Sequence, residues 1–291
     1  MKTFFRILGL IIISQVLTFG FIFMFIGDSV VEITKLDSKV LIEEMGLRSY
    51  LLYSQIASVL FPAILYLLIV HFNDINAWIK LQLPSNRHFF MYSVMLLILA
   101  YPLIQLSADL NKYMPFTDFL KEESNYIESL MKEILVMNSP IDFFINLGIV
   151  ALLPAIGEEL FFRAIIQNEL LSTIKRKDVA IILTAIIFSA FHLQFDGFLP
   201  RFFLGLILGY VYFWSRSIWT SVLLHFINNG LLVFSAFMMQ DKIDEIASES
   251  PQTIPMYILL MSIIAVFVLR SKMIELNRKE LNKDITLQDK I

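Results

Sequence analysis

From Gly157 to Arg163 the chain reads Gly-Glu-Glu-Leu-Phe-Phe-Arg, which puts three ionisable groups inside an apolar segment running from Ile141 to Leu171. Near the centre of a bilayer each such charge costs roughly 2.5–3.5 kcal/mol on insertion scales, so it is kept where it faces a protein interior or a wet cavity and has a partner. On a helix turning about 100° per residue, Glu159 and Arg163 share a face and can pair, while Glu158 points elsewhere. Glu158 is therefore read as the working carboxylate and Glu159–Arg163 as its support. Downstream, His192 ends Phe188-Ser-Ala-Phe-His192, and His225 opens His225-Phe-Ile-Asn-Asn229. Phe188 is one helical turn before His192 and can wall its ring; His225 and Asn229 are one turn apart and can face one cavity.

A glutamate, two histidines and an asparagine on three apolar segments can activate a water molecule. Glu158 takes the proton and His192 holds the water or moves the proton. His225 and Asn229 donate to the oxyanion that forms at a scissile carbonyl, with Asn228 as an alternative donor. Glu158, His192 and His225 could instead bind a metal such as zinc, which acidifies its own water. Each group also has a plainer reading. A lone membrane histidine is usually an interhelical hydrogen-bonding group, and Glu159–Arg163 is a structural ion pair. Arg201 and Arg216 are interfacial anchors, and solvation at the interface explains Asp178, Gln194 and Asp196 unless they touch the pocket mouth.

The surrounding chain must hold these residues at depth. Of 291 residues 57% are hydrophobic and 17% charged, against about 45–50% and 25% in soluble domains, and apolar runs of about 20 residues recur. The expected fold class is an all-α polytopic membrane protein. Spans are expected at about Phe4–Ile26, Tyr50–Phe72, Phe89–Leu106, Ile141–Leu171, Val179–Phe195, Phe202–Trp214, Trp219–Met239 and Ile254–Leu269. The first starts like a signal peptide but is too long and has no small-residue cleavage site, so it is read as uncleaved. Asp109–Met137 is amphipathic and is read as a surface helix, or as a lid over a site. Pro154 should kink the fourth span. Gly157 should let a neighbouring backbone approach, and Gly205 and Gly209 should form a G-x-x-x-G packing face. The tail from Arg270 is polar and expected to fray at its end.

Eight spans put both termini on one side, with Lys2, Arg6, Lys80, Arg87, Lys175–Lys177, Arg216 and the basic tail, which the charge rule makes cytoplasmic. The net charge of −3 gives no reason to expect a nucleic-acid partner, and with no cysteine the chain has neither disulfides nor thiolate chemistry. One tension remains. At about 1.5 Å per residue, Glu158 and His192 lie roughly 25 Å from the basic face, while His225 lies roughly 10 Å from it. They meet only if the sixth span is short, the Trp214–Trp219 turn dips inward, or the helices tilt strongly.

The three motifs, E-E-x-x-x-R (Glu158, Glu159, Arg163), F-x-x-x-H (Phe188, His192) and H-x-x-x-N (His225, Asn229), resemble those of the CAAX prenyl endopeptidase family, including its bacterial CPBP branch of CAAX proteases and bacteriocin-processing enzymes. The resemblance covers about Ile141 to Met239. It implies an intramembrane endopeptidase in which glutamate-activated water hydrolyses a peptide bond of a membrane-associated peptide or protein. It also implies that Glu159 and Arg163 support Glu158. Members have been described as metalloproteases, although no His-Glu-x-x-His pair occurs here. The expected organisation is 1–140 as N-terminal helices and surface helix, 141–240 as catalytic core, and 241–291 as last span and tail. In a bacterial source, peptide maturation or bacteriocin self-immunity follows. A non-catalytic scaffold or immunity protein of the same fold is the competing reading. A transporter would show broken helices in related halves, and only the Pro154 break is visible.

Overall fold

The structure is a computed structural model that describes residues 6–14, 16, 20, 46–115, 118–242 and 254–288. Among these the regular structure is all helix, with no strand. We number the helices α1 (residues 6–14), α2 (Leu47–Val70), α3 (Ile75–Ile79), α4 (His88–Asn111), α5 (Asp118–Leu135), α6 (Pro140–Thr173), α7 (Lys177–Phe191), α8 (Phe198–Ser215), α9 (Ile218–Met238) and α10 (Met256–Gln288). Six are long and apolar enough to cross a membrane: α2, α4, α6, α8 (counted from Phe195), α9 and α10 to Asn282. The polytopic all-α expectation holds, with a different set of spans. The first expected span lies largely outside the described residues. The fifth is replaced by α7, whose 15 residues reach about 22 Å and do not cross a hydrocarbon layer of about 30 Å alone.

The tail beyond Arg270 stays helical to Gln288, because Met273 is fully buried and Ile274 and Leu276 pack with it against α4 and α8; the end at which it is expected to fray, residues 289–291, lies outside the described residues. The surface helix is shorter than Asp109–Met137, since Asp109 and Asn111 still belong to α4. Helix α6 also runs through Pro154. It is wound as π-helix over Leu147–Leu152 and returns to α-winding at Leu153. The wider turn sits just where proline withholds its amide hydrogen, so the winding changes at the proline inside a continuous helix.

The bundle is arranged around α6. Its second half carries Phe161, Phe162, Ile165 and Ile166, all fully buried, against Tyr66 and Leu67 of α2, Ile7 and Leu10 of α1, Phe188 of α7, Tyr212 of α8, and Val222 of α9. A second apolar cluster joins α4, α8 and α10. A third seats Ile134, Leu135 and Met137, at the end of α5, against Leu47, Val233 and Ala236. Helix–helix association in lipid relies on close packing and interhelical hydrogen bonds. Both meet on α8, where a Cβ added at Gly205 would lie 3.1 Å from Phe188 and one at Gly209 would lie 2.9 Å from Gln167 and Ile181. At Gly157 the α2 backbone does come close: an added Cβ would lie 3.8 Å from the Leu60 nitrogen and 3.7 Å from the Val59 and Leu60 side chains, ordinary contact distances.

The three motifs meet although the depths counted along the chain differ, and the α8–α9 turn is held by its neighbours. Ser215, Ser217 and Ile218 are buried, not surface residues. The loop after α3 covers them, with the Ile218 amide donating to the Lys80 carbonyl at 3.1 Å and the Trp219 indole to that of Leu81 at 2.7 Å. Asn277 of α10 donates to the Trp214 carbonyl at 2.6 Å from the same side. The loop after α3 therefore holds the start of α9 in place, although Arg216 and Trp219 within the turn stay exposed.

Candidate active site

Helix α6 enters a second stretch of π-helix at Glu159 and keeps it to Gln167. Glu158, the last residue of α-winding, is 6% exposed, and Glu159 and Arg163 are fully buried. Arg163 Nη1 lies 3.2 Å from Glu159 Oε1, as the i, i+4 spacing requires. The guanidinium also donates from Nη2 to the Gly205 carbonyl at 3.2 Å and sits 4.6 Å over the Phe188 ring. One turn on, Gln167 Nε2 donates to the Gly209 carbonyl at 3.0 Å. The two glycines that look like a packing motif are thus also the acceptors that fix the polar edge of α6.

Glu159 has a second partner that spacing does not reveal. His225 Nδ1, on α9, donates to the same Glu159 Oε1 at 2.9 Å. This fixes the ring so that Nε2 faces Glu158, 3.8 Å from its Oε2. His192 caps the C-terminus of α7. Its Nδ1 donates to the Phe188 carbonyl at 2.8 Å, and its Nε2 also lies 3.8 Å from Glu158 Oε2. Two imidazole nitrogens from two helices converge on one carboxylate oxygen that has no protein hydrogen-bond partner. At 3.8 Å neither contact is a hydrogen bond, and a water molecule is the natural bridge. Phe188 lies edge-on to both rings, with centroids 5.0 Å from His192 and 6.0 Å from His225. It walls both imidazoles rather than one.

Asn229 is less directly engaged. Its Nδ2 donates to the Val150 carbonyl at 3.3 Å, two turns before Glu158, and its Oδ1 accepts from Asn228 Nδ2 at 3.1 Å. The remaining polar candidates separate. Arg201 donates to the Gln194 side chain at 2.9 Å and to its backbone carbonyl, so both line the turn after His192. Asp178 lies elsewhere, at the start of α7, accepting from Tyr210 at 2.9 Å. Asp196 offers its backbone carbonyl to Asn111 Nδ2 at 2.7 Å.

Asn111 is a positioning residue that sequence reasoning missed. From the end of α4 it donates to the carbonyls of Phe195 and Asp196 and accepts from the Leu199 amide at 2.8 Å. This clamps the turn that ends α7 at His192. A fully buried asparagine at the end of an apolar span was the available signal. Within this turn Leu193 takes a left-handed backbone (φ 56°) and is largely exposed, a costly state for a bulky residue that tends to gather at functional sites. His192 is the most open of the three groups, with 28% of its side chain exposed against 8% for Glu158 and 3% for His225. The site therefore opens at the end of α7 remote from Lys177, where α5 also touches Phe195–Gly197.

Donors sharing a tetrahedral zinc at about 2.0–2.1 Å stand about 3.3 Å apart, closer than the two 3.8 Å separations here. Among the described residues no group of three or more His, Asp or Glu is placed to hold a metal ion. The residues as placed do not form a zinc-ligand set, and no step below runs through a metal.

Residues 140–231 match the family model described as type II CAAX prenyl endopeptidase, Rce1-like, over the segment that holds Glu158, His192, His225 and Asn229. No curated protein matches the chain, and no solved structure does. The match bears out the family resemblance of the three motifs over that segment and supports a protease-type enzyme built on apolar, membrane-crossing helices.

Proposed function

We propose, on the premise that residues 140–231 carry the type II CAAX prenyl endopeptidase signature, that this protein is an intramembrane endopeptidase acting through water activated by Glu158. The observation that carries this reading is the convergence of His192 Nε2 and His225 Nε2, each 3.8 Å away, on a Glu158 oxygen without a protein hydrogen-bond partner. Water held there is within reach of a base and of two ring nitrogens. Glu158 removes its proton as the oxygen attacks the scissile carbonyl carbon. The proton passes to the leaving amide nitrogen as the tetrahedral intermediate collapses and the C–N bond breaks.

The two histidines take different parts. His192 gives its Nδ1 hydrogen to a backbone carbonyl, which leaves Nε2 to accept from the water. His225 gives its Nδ1 hydrogen to the Glu159 carboxylate, which fixes its ring with Nε2 turned to the side where the oxyanion forms. Asn229 supplies a second donor once its amide turns from the Val150 carbonyl, a contact already long at 3.3 Å. Burial of Glu159 and Arg163 keeps the supporting charges dry and fixed.

The substrate is a membrane-associated peptide or protein, since the site lies between membrane-crossing helices and opens beside His192. The basic loops make the Lys80–Arg216 face cytoplasmic. The test is cleavage of membrane-anchored peptides by purified protein in detergent. Glu158→Gln keeps size and shape and should lower turnover at least a hundredfold with folding intact. If Glu158→Gln abolishes cleavage but keeps the cellular phenotype, the scaffold reading replaces the enzyme; if it keeps cleavage, Glu158 is not the base. Elemental analysis of the same active preparation decides the zinc alternative: a stoichiometric metal whose removal abolishes turnover would establish it.

A further inference from the structure

Pro154 is buried in α6, one turn before Glu158. In α-winding, the amide at this position would donate to the Val150 carbonyl. Proline has no such hydrogen, and its ring crowds the carbonyl four residues earlier. The sequence thus leaves Val150 with a backbone acceptor that its own α-winding cannot satisfy. A carbonyl of this kind inside a membrane helix is expected to find a donor on a neighbouring element. It does: Asn229 Nδ2 of α9 donates to it at 3.3 Å. The two helices are held together at this level. The π-wound turn Leu147–Leu152 lies along α9, and a Cβ added at Gly230 would meet Leu147 Cδ1 at 3.5 Å. The far end of the carboxamide is engaged as well, Asn229 Oδ1 accepting from Asn228 Nδ2 at 3.1 Å. A half-buried asparagine has several rotamers open to it, and these two contacts choose one.

We propose that Pro154 is a positioning residue for Asn229. By withholding a backbone hydrogen it leaves the Val150 carbonyl open to α9. That carbonyl keeps the donor nitrogen of Asn229 turned towards α6, the helix that carries Glu158. The consequence for turnover rests on the peptidase reading; the contact does not. The hold is long and neutral, so an oxyanion, a charged acceptor, outcompetes the carbonyl when it forms. With an amide restored at 154, the Val150 carbonyl returns to its own helix. Asn229 then loses the partner that orients it, and part of the advantage of a preorganised donor goes with it. A proline kept only to bend α6 would act by placing Glu158, and its loss would be independent of Asn229.

The test is a pair of double-variant cycles on the full chain in mixed micelles, with the wild type, Pro154→Ala, Asn229→Ala and both changes together. Alanine is the better helix former, so Pro154→Ala is expected to fold. In reversible unfolding, Asn229→Ala strands the Val150 carbonyl and should raise the unfolding constant about tenfold. On the Pro154→Ala background, where the new amide takes that carbonyl, the same change should raise it less than about twofold. In cleavage of a membrane-anchored peptide, Pro154→Ala should lower kcat about tenfold with KM little changed. Added to Asn229→Ala, it should lower kcat less than about twofold further. Pro154→Leu restores the amide without leaving a cavity and should reproduce both couplings. Additive effects in the unfolding cycle overturn the proposal. Coupling in unfolding with additive effects on kcat overturns the positioning role, since the loss then runs through Glu158 or the bend of α6. A wild type that cleaves nothing refutes the peptidase reading instead, and the unfolding cycle still decides whether Pro154 sets the partner of Asn229.

Discussion

The support of the active site is an ion pair with no access to water, and its removal should behave unlike that of a surface pair. Arg163 and Glu159 are both fully buried; the guanidinium is held by Glu159 Oε1 and the Gly205 carbonyl, each at 3.2 Å. Arg163→Met fills much of the same volume but leaves the Glu159 carboxylate facing the His225 Nδ1–H. Leaving one buried charge without its partner costs about 3–5 kcal/mol. Adding Glu159→Gln removes the stranded charge, while the amide oxygen it introduces still accepts from His225. The double variant should therefore recover about 2 kcal/mol relative to Arg163→Met, a coupling well within the range for residues in direct contact. The assay is reversible unfolding in mixed micelles, with the wild type, both single variants and the double variant measured together. An Arg163→Met cost under about 1 kcal/mol, or purely additive effects, would refute the argument that Glu159 is charged and held by Arg163.

Other consequences are checked more simply. Gly209→Ala drives a methyl to 2.9 Å from Gln167 Oε1 and Ile181 Cγ2 and should cost about 1–3 kcal/mol in the same unfolding assay, whereas Gly148→Ala, with nothing within 4 Å, should be neutral or stabilising. Asn229→Ala should lower turnover about a hundredfold with little change in KM if it donates to the oxyanion, and Asn228→Ala should have a smaller effect. In detergent, stability should rise with pH from about 8 towards 10.5. Lys80 is pushed down to about 8 when folded, so the unfolded chain binds more protons across that window; thermal unfolding of Lys80→Met should lose this slope. Asn146 joins Arg48 Nε (3.1 Å) to the Ile134 carbonyl, so Asn146→Ala should speed hydrogen exchange across α5.

Much of the site was legible because membrane burial is selective about charge. A glutamate pair and an arginine inside Ile141–Leu171 could persist only as partners facing inward, and i, i+4 spacing identified which two pair. The helix assignments of α2, α4, α6 and α9 followed from apolar run length alone. What hydropathy could not give was where helices stop. Val179–Phe195 looks like a span by composition, yet α7 ends at Phe191 because Asn111 of α4 and Ser189 take the carbonyls of the next turn, with Ser189 donating to Phe198 at 2.6 Å. The expected last span stops at Leu269, whereas α10 runs on to Gln288, extended by sparse contacts, Met273 and Asn277 among them, that a polar composition conceals.

The link from Glu159 to His225 was also illegible, for a reason that bears on mechanism. Helical spacing relates residues on one element, and it correctly joined Glu159 to Arg163. It carries no information about depth on a different helix. That depth depends on the α8–α9 turn, whose burial depends in turn on the carbonyls of Lys80 and Leu81 lying over it. His225 reaches Glu159 and faces Glu158 only with the start of α9 held at this level beside α6. The loop after α3 has no catalytic residue, yet it sets the register of α9 against α6. A variant such as Trp219→Phe, which loses the hydrogen bond to Leu81 but keeps an aromatic ring, should therefore lower turnover more than it lowers stability. Equal losses in both would mean that the loop merely packs against the turn.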